Sequence, residues 1–463
     1  MTRSLRSRSL VPWIVLGAIL LLAAALRLTG IRYGLPLPVL NPDEGNIVPR
    51  AWRMGHGHLD PGWYDYPSLL MALLAPVQAL FGKPDLEAAR YVAVAIGLGG
   101  VAATWWLGRR AYGTGAAIVG AATVAVATTH VAYSRMAVTD VLLTLATTCV
   151  LALAVERRIE WAGLAVGLAA SAKYPGAIAI VPVVVAGWGR WRPLASAVLL
   201  AVVGFALTSP FVLIHGGRAW DDISRVQRLA RDGWLGFEDD PATPFAYVER
   251  LWGAVGPFLL VVLVGLVAVL VRRTRTDLVL LSFVAAYWLA LMPQQAHFER
   301  YVLPLVPVLA VLVGSIRLLV PLALVLLVVP LAWSIGDART LTRTDTRLRA
   351  DAWIAEHVPR GETIAADPST LPLGGGRRVL RLELPGPGQP AEPRRNLTRL
   401  RAAGADWLIV SGAITDRVLA ARGHYPREAR FYDSLARLRP AFEVTPDGPG
   451  LTGPWVRVYR ISG

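Results

Sequence analysis

Leu40-Asn41-Pro42-Asp43-Glu44-Gly45 places two adjacent carboxylates shortly after a first apolar segment at about residues 11–30. Charges beside a bilayer are ordinarily solvated loop residues. Here the pair is followed by an amphipathic stretch, a second acid at Asp65 and another apolar segment. That layout suits a base held at a membrane surface, facing something carried in the lipid.

The composition agrees with a membrane setting. Hydrophobic residues make up 54% of the 463 and charged residues only 17%, and the mean hydropathy is +0.48. Soluble chains carry about 25% charged residues, so the chain reads as an integral membrane protein with a polar appendage. The net charge of +15 comes almost wholly from arginine, Lys83 and Lys173 being the only lysines. A basic membrane protein meets anionic headgroups, and no nucleic-acid partner is needed to account for the charge. A single cysteine, Cys149, rules out an internal disulfide and a multi-cysteine metal site. The basic stretch Met1 to Leu10 leads into an apolar run of about 20 residues, longer than a signal-peptide core, so an uncleaved first helix is expected.

The positive-inside rule threads the apolar runs. Arg3/Arg6/Arg8, Arg109/Arg110, Arg157/Arg158, Arg190/Arg192, Arg272/Arg273/Arg275 and Arg317 are taken as cytoplasmic. The expected spans are then 11–30, 87–108, 113–132, 140–156, 159–173, 175–189, 193–214, 247–271, 277–293, 301–316 and 318–335. The result is an α-helical polytopic protein of about 11 transmembrane helices, with residues 31–86 and 215–246 as extracytoplasmic loops carrying juxtamembrane helices. The run 67–81, short and containing Pro67 and Pro76, is read as an in-plane helix rather than a crossing. From about 336 to 463, helical stretches alternate with strand-like runs at 363–366, 379–384, 407–411 and 455–461, separated by turns such as Pro385-Gly386-Pro387-Gly388. These residues are expected to form a small extracytoplasmic α/β domain appended to a membrane domain of residues 1–335. The N-terminus is placed in the cytoplasm and the chain in the cytoplasmic membrane.

The predicted loops carry Asn41-Pro42-Asp43-Glu44, Tyr64-Asp65-Tyr66-Pro67 and the run Tyr133-Ser134-Arg135-Met136-Ala137-Val138-Thr139-Asp140. Ser209-Pro210-Phe211 and the run His297-Phe298-Glu299-Arg300-Tyr301-Val302-Leu303-Pro304 follow. In this order and on one face, over about residues 10–335, the motifs resemble the GT-C superfamily of membrane glycosyltransferases. The resemblance is to the branch containing protein O-mannosyltransferases and lipid A aminoarabinose transferases. It implies a sugar donor carried on polyprenyl or dolichyl phosphate, an extracytoplasmic acceptor (glycan, lipid or protein), inversion at the anomeric carbon, and Asp43 as catalytic base. The aminoarabinose branch has a lysine before the proline of the second motif where this chain has Tyr66, which points to a different sugar or headgroup.

Such a transfer needs a base, stabilisation of the departing phosphate and a dry pocket. Glu44 is the rival to Asp43 as base, and also suits the first turn of a helix. Arg50 and Arg53 lie on an amphipathic stretch whose arginines reach either phosphates or headgroups generally. His56, His58 and Asp60 read as a solvated helix end rather than a metal site. Asp65 is an active-site acid or a helix cap, and Asp140 is placed as an N-cap. Arg135 is expected to contact sugar or phosphate. Lys173 lies 15 residues after Arg158, about 22 Å along a helix, which recesses it below the outer surface and makes it a candidate phosphate partner. Arg300 suits bidentate phosphate binding, with His297 and Tyr301 beside it. Arg218, Arg225, Arg228 and Arg231 mark a second interfacial helix, its basic face solvated. No cofactor is expected, and a divalent metal requirement is left open. A transporter or lipid flippase is the reading from another class, disfavoured because the charges gather at helix ends and no related halves are visible. A glycan polymerase or ligase of the same superfamily and a non-catalytic scaffold are the remaining readings.

Overall fold

The structure, a computed structural model, describes residues 10–462 apart from 369, 372, 374 and 375. The Arg3/Arg6/Arg8 cluster lies outside the described residues.

Most expected helices are present. Val11–Leu28, Leu86–Ala111, Thr139–Val155, Ile159–Ala172, Trp191–Thr208 and Arg275–Leu291 follow the sequence reading closely. Among the described residues, four helices are long and apolar enough to cross a membrane by themselves, or five if one bent pair counts as a span. The expected helix at 247–271 is corrected into that pair: Thr243–Val255 and Phe258–Arg272 meet at 117°. Gly256 takes φ +58 between them, a backbone state open to glycine, and Pro257 removes the amide that would continue the ladder. On Thr243–Val255, Phe245, Val248 and Trp252 are exposed at near-helical spacing. The expected helix at 113–132 also divides, at Ala127, into Thr114–Val126 and Thr128–Tyr133. The run at 67–81 forms only Leu69–Gln78, ten residues or about 15 Å. That is too short to cross, in line with the in-plane reading.

The bundle is built on small residues. A Cβ on Gly163 would stand 2.2 Å from the Ala197 carbonyl oxygen, and one on Gly167 2.2 Å from that of Ala201. Ile159–Ala172 and Trp191–Thr208 therefore approach backbone to backbone, the usual solution where lipid removes the hydrophobic drive between helices. Leu305–Gly314 is buried on every side, which explains its lack of any polar face.

The C-terminal residues form a five-stranded sheet in the order Arg378–Arg381, Thr363–Ala366, Trp407–Ser411, Val456–Arg460, Phe442–Val444. The first three strands are parallel, and the last two pair antiparallel. Thr346–His357 covers one face, while Gly412–Ala420 and Pro426–Leu435 cover the other. This domain sits at the loop end of the bundle. Tyr33 donates to Asp345 at 2.6 Å, Leu37 packs on one sheet face, and Leu235 is buried in the other.

Gly163→Ala should lower the thermal midpoint in detergent by the equivalent of about 1–3 kcal/mol, because the added methyl meets backbone. Gly336→Ala, where a Cβ meets nothing within 4 Å, should leave it unchanged or raise it slightly. Equal responses would show that the close approach is not as described.

Candidate active site

The first-loop helix Pro42–Gly55 begins at Asn41, whose side-chain oxygen accepts from the Asp43 amide at 2.9 Å. Proline at the first helical position suits the start, and Asp43 and Glu44 fall in the first turn. The two carboxylates then part company. Glu44 turns inward and is fully buried. Arg90 grips it through two hydrogen bonds of 2.9 and 2.8 Å, and the Ala137 amide donates to it at 3.1 Å. Arg90 also donates to the carbonyls of Ile31 and Tyr33 at 3.0 and 2.7 Å. Both oxygens of Glu44 are thus occupied and closed to solvent, which corrects its reading as a rival base. It is a structural anion.

Asp43 faces the other way, half-buried. Its Oδ2 accepts from the Tyr66 hydroxyl at 2.9 Å. Burial, and then the charge of Asp43, hold the Tyr66 phenol well above its ordinary pKa. Next to Tyr66 lies Lys173, which closes the helix Ile159–Ala172. Its ammonium stands 5.5 Å from the Tyr66 ring centre and 5.3 Å from that of Tyr301. Lys173 is recessed as expected, its side chain 12% exposed, and pairs with Asp140 at 2.6 Å. Asp140 is not the N-cap of Thr139–Val155: that position is Val138, with no side-chain cap. A desolvated ammonium needs an opposite charge more than a helix end needs a cap. The other Asp140 oxygen has no protein partner.

The short turn Glu299–Val302 brings in Arg300 and Tyr301, and the Tyr133 hydroxyl donates to Glu299 at 2.9 Å. The Arg300 guanidinium lies 4.5 Å over the Phe298 ring and 5.9 Å from Tyr301. Asp140 and Asp43 both act on it electrostatically.

A cavity of about 450 Å³ opens on this group. Its polar floor includes Asp65, Tyr66, Asp140, Lys173 and Tyr301, and its wall is apolar, from Leu143 and Ile178 to Ala290 and Leu291. The amphipathic helix Gly216–Asp232 roofs it with Ile223, Val226 and Ala230. Two polar attachments hold that roof. Arg225 bonds Asp65 while Asp222 accepts from the Tyr64 amide at 2.9 Å, and the Ala230 carbonyl accepts from the Gln295 and Ala296 amides at 2.9 and 3.0 Å. Arg225, read as part of a solvated face, is thus corrected to a tether. Burial pushes the Asp65 carboxyl up, against the pull of Arg225.

Two further expectations are corrected. Arg135 does not face the cavity. It is 1% exposed and donates to the Leu26 carbonyl, at the end of the first helix, where a cation meets the negative end of a dipole. His297 is also turned away from the cavity, joined to Asp240 at 3.0 Å and to Thr243 at 3.1 Å. Arg250 completes that knot, donating to Asp240 at 2.6 Å and to the His297 carbonyl at 2.9 Å. Arg50 stacks on Trp63 at 4.6 Å and donates to Asn46, and Arg53 reaches only the Pro61 carbonyl at 3.5 Å. Neither lines the cavity. Asp60 is occupied by the Tyr64 hydroxyl, the Gly62 amide and His215. Among the described residues no group of three or more His, Cys, Asp or Glu stands together as a metal site.

The sequence reading missed Arg90 and Arg27. Arg27 is fully buried, donating to the carbonyls of Ala23, Val124 and Ala125 and bonded to His130. The available signal was a lone arginine inside an apolar helix, which demands a partner.

The family model described as dolichyl-phosphate-mannose-protein mannosyltransferase matches residues 65–214. That span takes in Asp65, Tyr66, Asp140 and Lys173 but neither Asp43 nor Arg300. No curated protein sequence matches the chain. Among solved structures, ArnT from Cupriavidus metallidurans bound to undecaprenyl phosphate is 16% identical with a TM-score of 0.60, over 97% of this chain and 98% of that one. The Archaeoglobus fulgidus oligosaccharyltransferase AglB, in complex with an inhibitory peptide and a dolichol-phosphate, is 12% identical with a TM-score of 0.61, over 90% and 72%. The resemblance to the GT-C superfamily is borne out, and at these identities the structural likeness is one of fold.

Replacing Arg90 by methionine should cost about 3–5 kcal/mol, because it leaves Glu44 buried and unpaired. The double variant Arg90→Met/Glu44→Leu should recover part of that loss in thermal unfolding. A single variant as stable as the parent would contradict the ion pair.

Proposed function

We propose that the chain is an inverting glycosyltransferase. It moves a sugar from a polyprenyl-phosphate carrier to an acceptor hydroxyl at the extracytoplasmic face of the cytoplasmic membrane, with Asp43 as general base. The observation that carries this reading is one cavity with an apolar wall and Lys173 at its floor, backed by Asp43 behind Tyr66 and Arg300 behind Tyr301. An amphiphile with an anionic head fits that distribution. The names of the two solved relatives, bound to undecaprenyl phosphate and dolichol-phosphate, support the same carrier class.

In the proposed step the acceptor oxygen attacks the anomeric carbon from the side opposite the phosphate. The bond from carbon to phosphate oxygen breaks, and its electron pair leaves with the polyprenyl phosphate. Asp43 takes the acceptor proton. Tyr66 holds one Asp43 oxygen and leaves the other for the hydroxyl. Lys173 and Arg300 meet the charge that grows on the leaving group, Arg300 through its planar fork and Lys173 as a point charge. Tyr301, between them, orders both cations through its ring. Asp65, tied to Arg225, holds the roof helix over the lipid head. The proposed topology has eleven crossings, the N-terminus in the cytoplasm and residues 336–463 outside.

Asp43→Asn should cut transfer of labelled sugar from its lipid carrier by about 10²–10⁴-fold without loss of fold. Lys173→Gln and Arg300→Gln should each cost roughly 10²–10³-fold. Full transfer by Asp43→Asn would sink the mechanism, and flux across proteoliposomes without covalent product would favour a transporter. For the topology, a cysteine placed at exposed Gly423 in a Cys149→Ser background should react with a membrane-impermeant thiol reagent added to intact cells.

A further inference from the structure

The loop between the roof helix Gly216–Asp232 and Thr243–Val255 leaves the bundle and enters the C-terminal domain. Leu235 is 1% exposed and belongs to the buried cluster that includes Ala365, Leu382, Leu408 and Tyr432, the core on one face of the sheet. Gly236 turns the chain there at φ +97 against the Arg417 side chain, a conformation that favours glycine. Glu238 then accepts from the Tyr425 hydroxyl and from the Gly236 amide.

The same loop grips the site from its other side. Trp234 and Phe237 both meet Phe298 edge to face, at 5.9 and 4.9 Å between ring centres. Phe298 carries the Arg300 guanidinium at 4.5 Å and lies 5.6 Å from Tyr301. An unbroken run of packed groups therefore leads from the sheet core through Leu235, Trp234, Phe237 and Phe298 to Arg300. Edge-to-face aromatic pairs have preferred geometries, so a shift of the loop changes where the guanidinium stands.

We propose that Leu235 and Phe298 are positioning residues through which the C-terminal domain sets the place of Arg300 behind Tyr301, at the side of the cavity. The inference rests on the reading of Arg300 as a phosphate partner. It makes the C-terminal domain part of the donor site's support, so that loosening its packing on the loop weakens affinity for the lipid phosphate.

The test is binding of undecaprenyl phosphate to the full-length protein in nanodiscs, with and without Arg300→Gln. Leu235→Ala and Phe298→Leu should each weaken binding roughly 3- to 30-fold in the native background. In the Arg300→Gln background they should have no further effect, and Leu235→Met should restore native binding. A merely structural role would weaken binding in both backgrounds, and that outcome, like unaltered binding by Phe298→Leu, overturns the inference. A native protein that binds no undecaprenyl phosphate overturns the donor assignment as well, which separates the two failures.

Discussion

The buried pair of Glu44 and Arg90 is the interaction on which the site depends. Two ions removed from water cost several kcal/mol each unless every donor and acceptor is met. Here the guanidinium serves two carboxylate oxygens and two backbone carbonyls, and the carboxylate also receives the Ala137 amide. Those partners come from four separate places: the first-loop helix, the second long helix, the end of the first segment and the turn before Thr139. Fixing Glu44 fixes the rotation of the first-loop helix. Asp43, the next residue back, then lies on another side of that helix, where the Tyr66 hydroxyl donates to it.

A second economy of charge operates at the helix ends. Arg27 and Arg135 are buried with no acidic partner at salt-bridge distance among the described residues. Both bond carbonyls in the last turns of helices: Arg27 at the end of Thr114–Val126, and Arg135 at the end of Val11–Leu28. The orphan carbonyls there carry the negative end of the helix dipole. Buried arginines thus need not mark a substrate path, and here they tie the first helix to the body of the bundle.

Much of this was legible from the chain. Apolar run length and the basic clusters gave most helices, because hydropathy and the cost of unpaired backbone in lipid leave few alternatives. Strand runs at 363–366 and 407–411 appear with the expected bounds, since buried parallel strands read as short apolar runs. The 117° bend at Gly256-Pro257 was visible as a dipeptide but was outweighed by continuous hydropathy. Asp43, Tyr66, Asp140, Lys173, Arg300 and Tyr301 were all named in advance, and the structure brings them to one place. The fates of Glu44, Arg135 and His297 were not legible, because the direction a side chain takes depends on partners distant in sequence: Arg90, Leu26 and Asp240. Arg90 went unnoticed for the same reason, its partner lying 46 residues away.

The Lys173–Asp140 pair has a consequence for traffic through the cavity. The ammonium already has a resident counter-ion at 2.6 Å, so on the proposed reading an arriving anion would have to share it with Asp140 or compete for it. To that extent the net gain would be a difference between two similar attractions. With the anion gone, Asp140 would keep the ammonium paired, and no bare charge would be left in a low-dielectric space. An arrangement of this kind would favour release over grip.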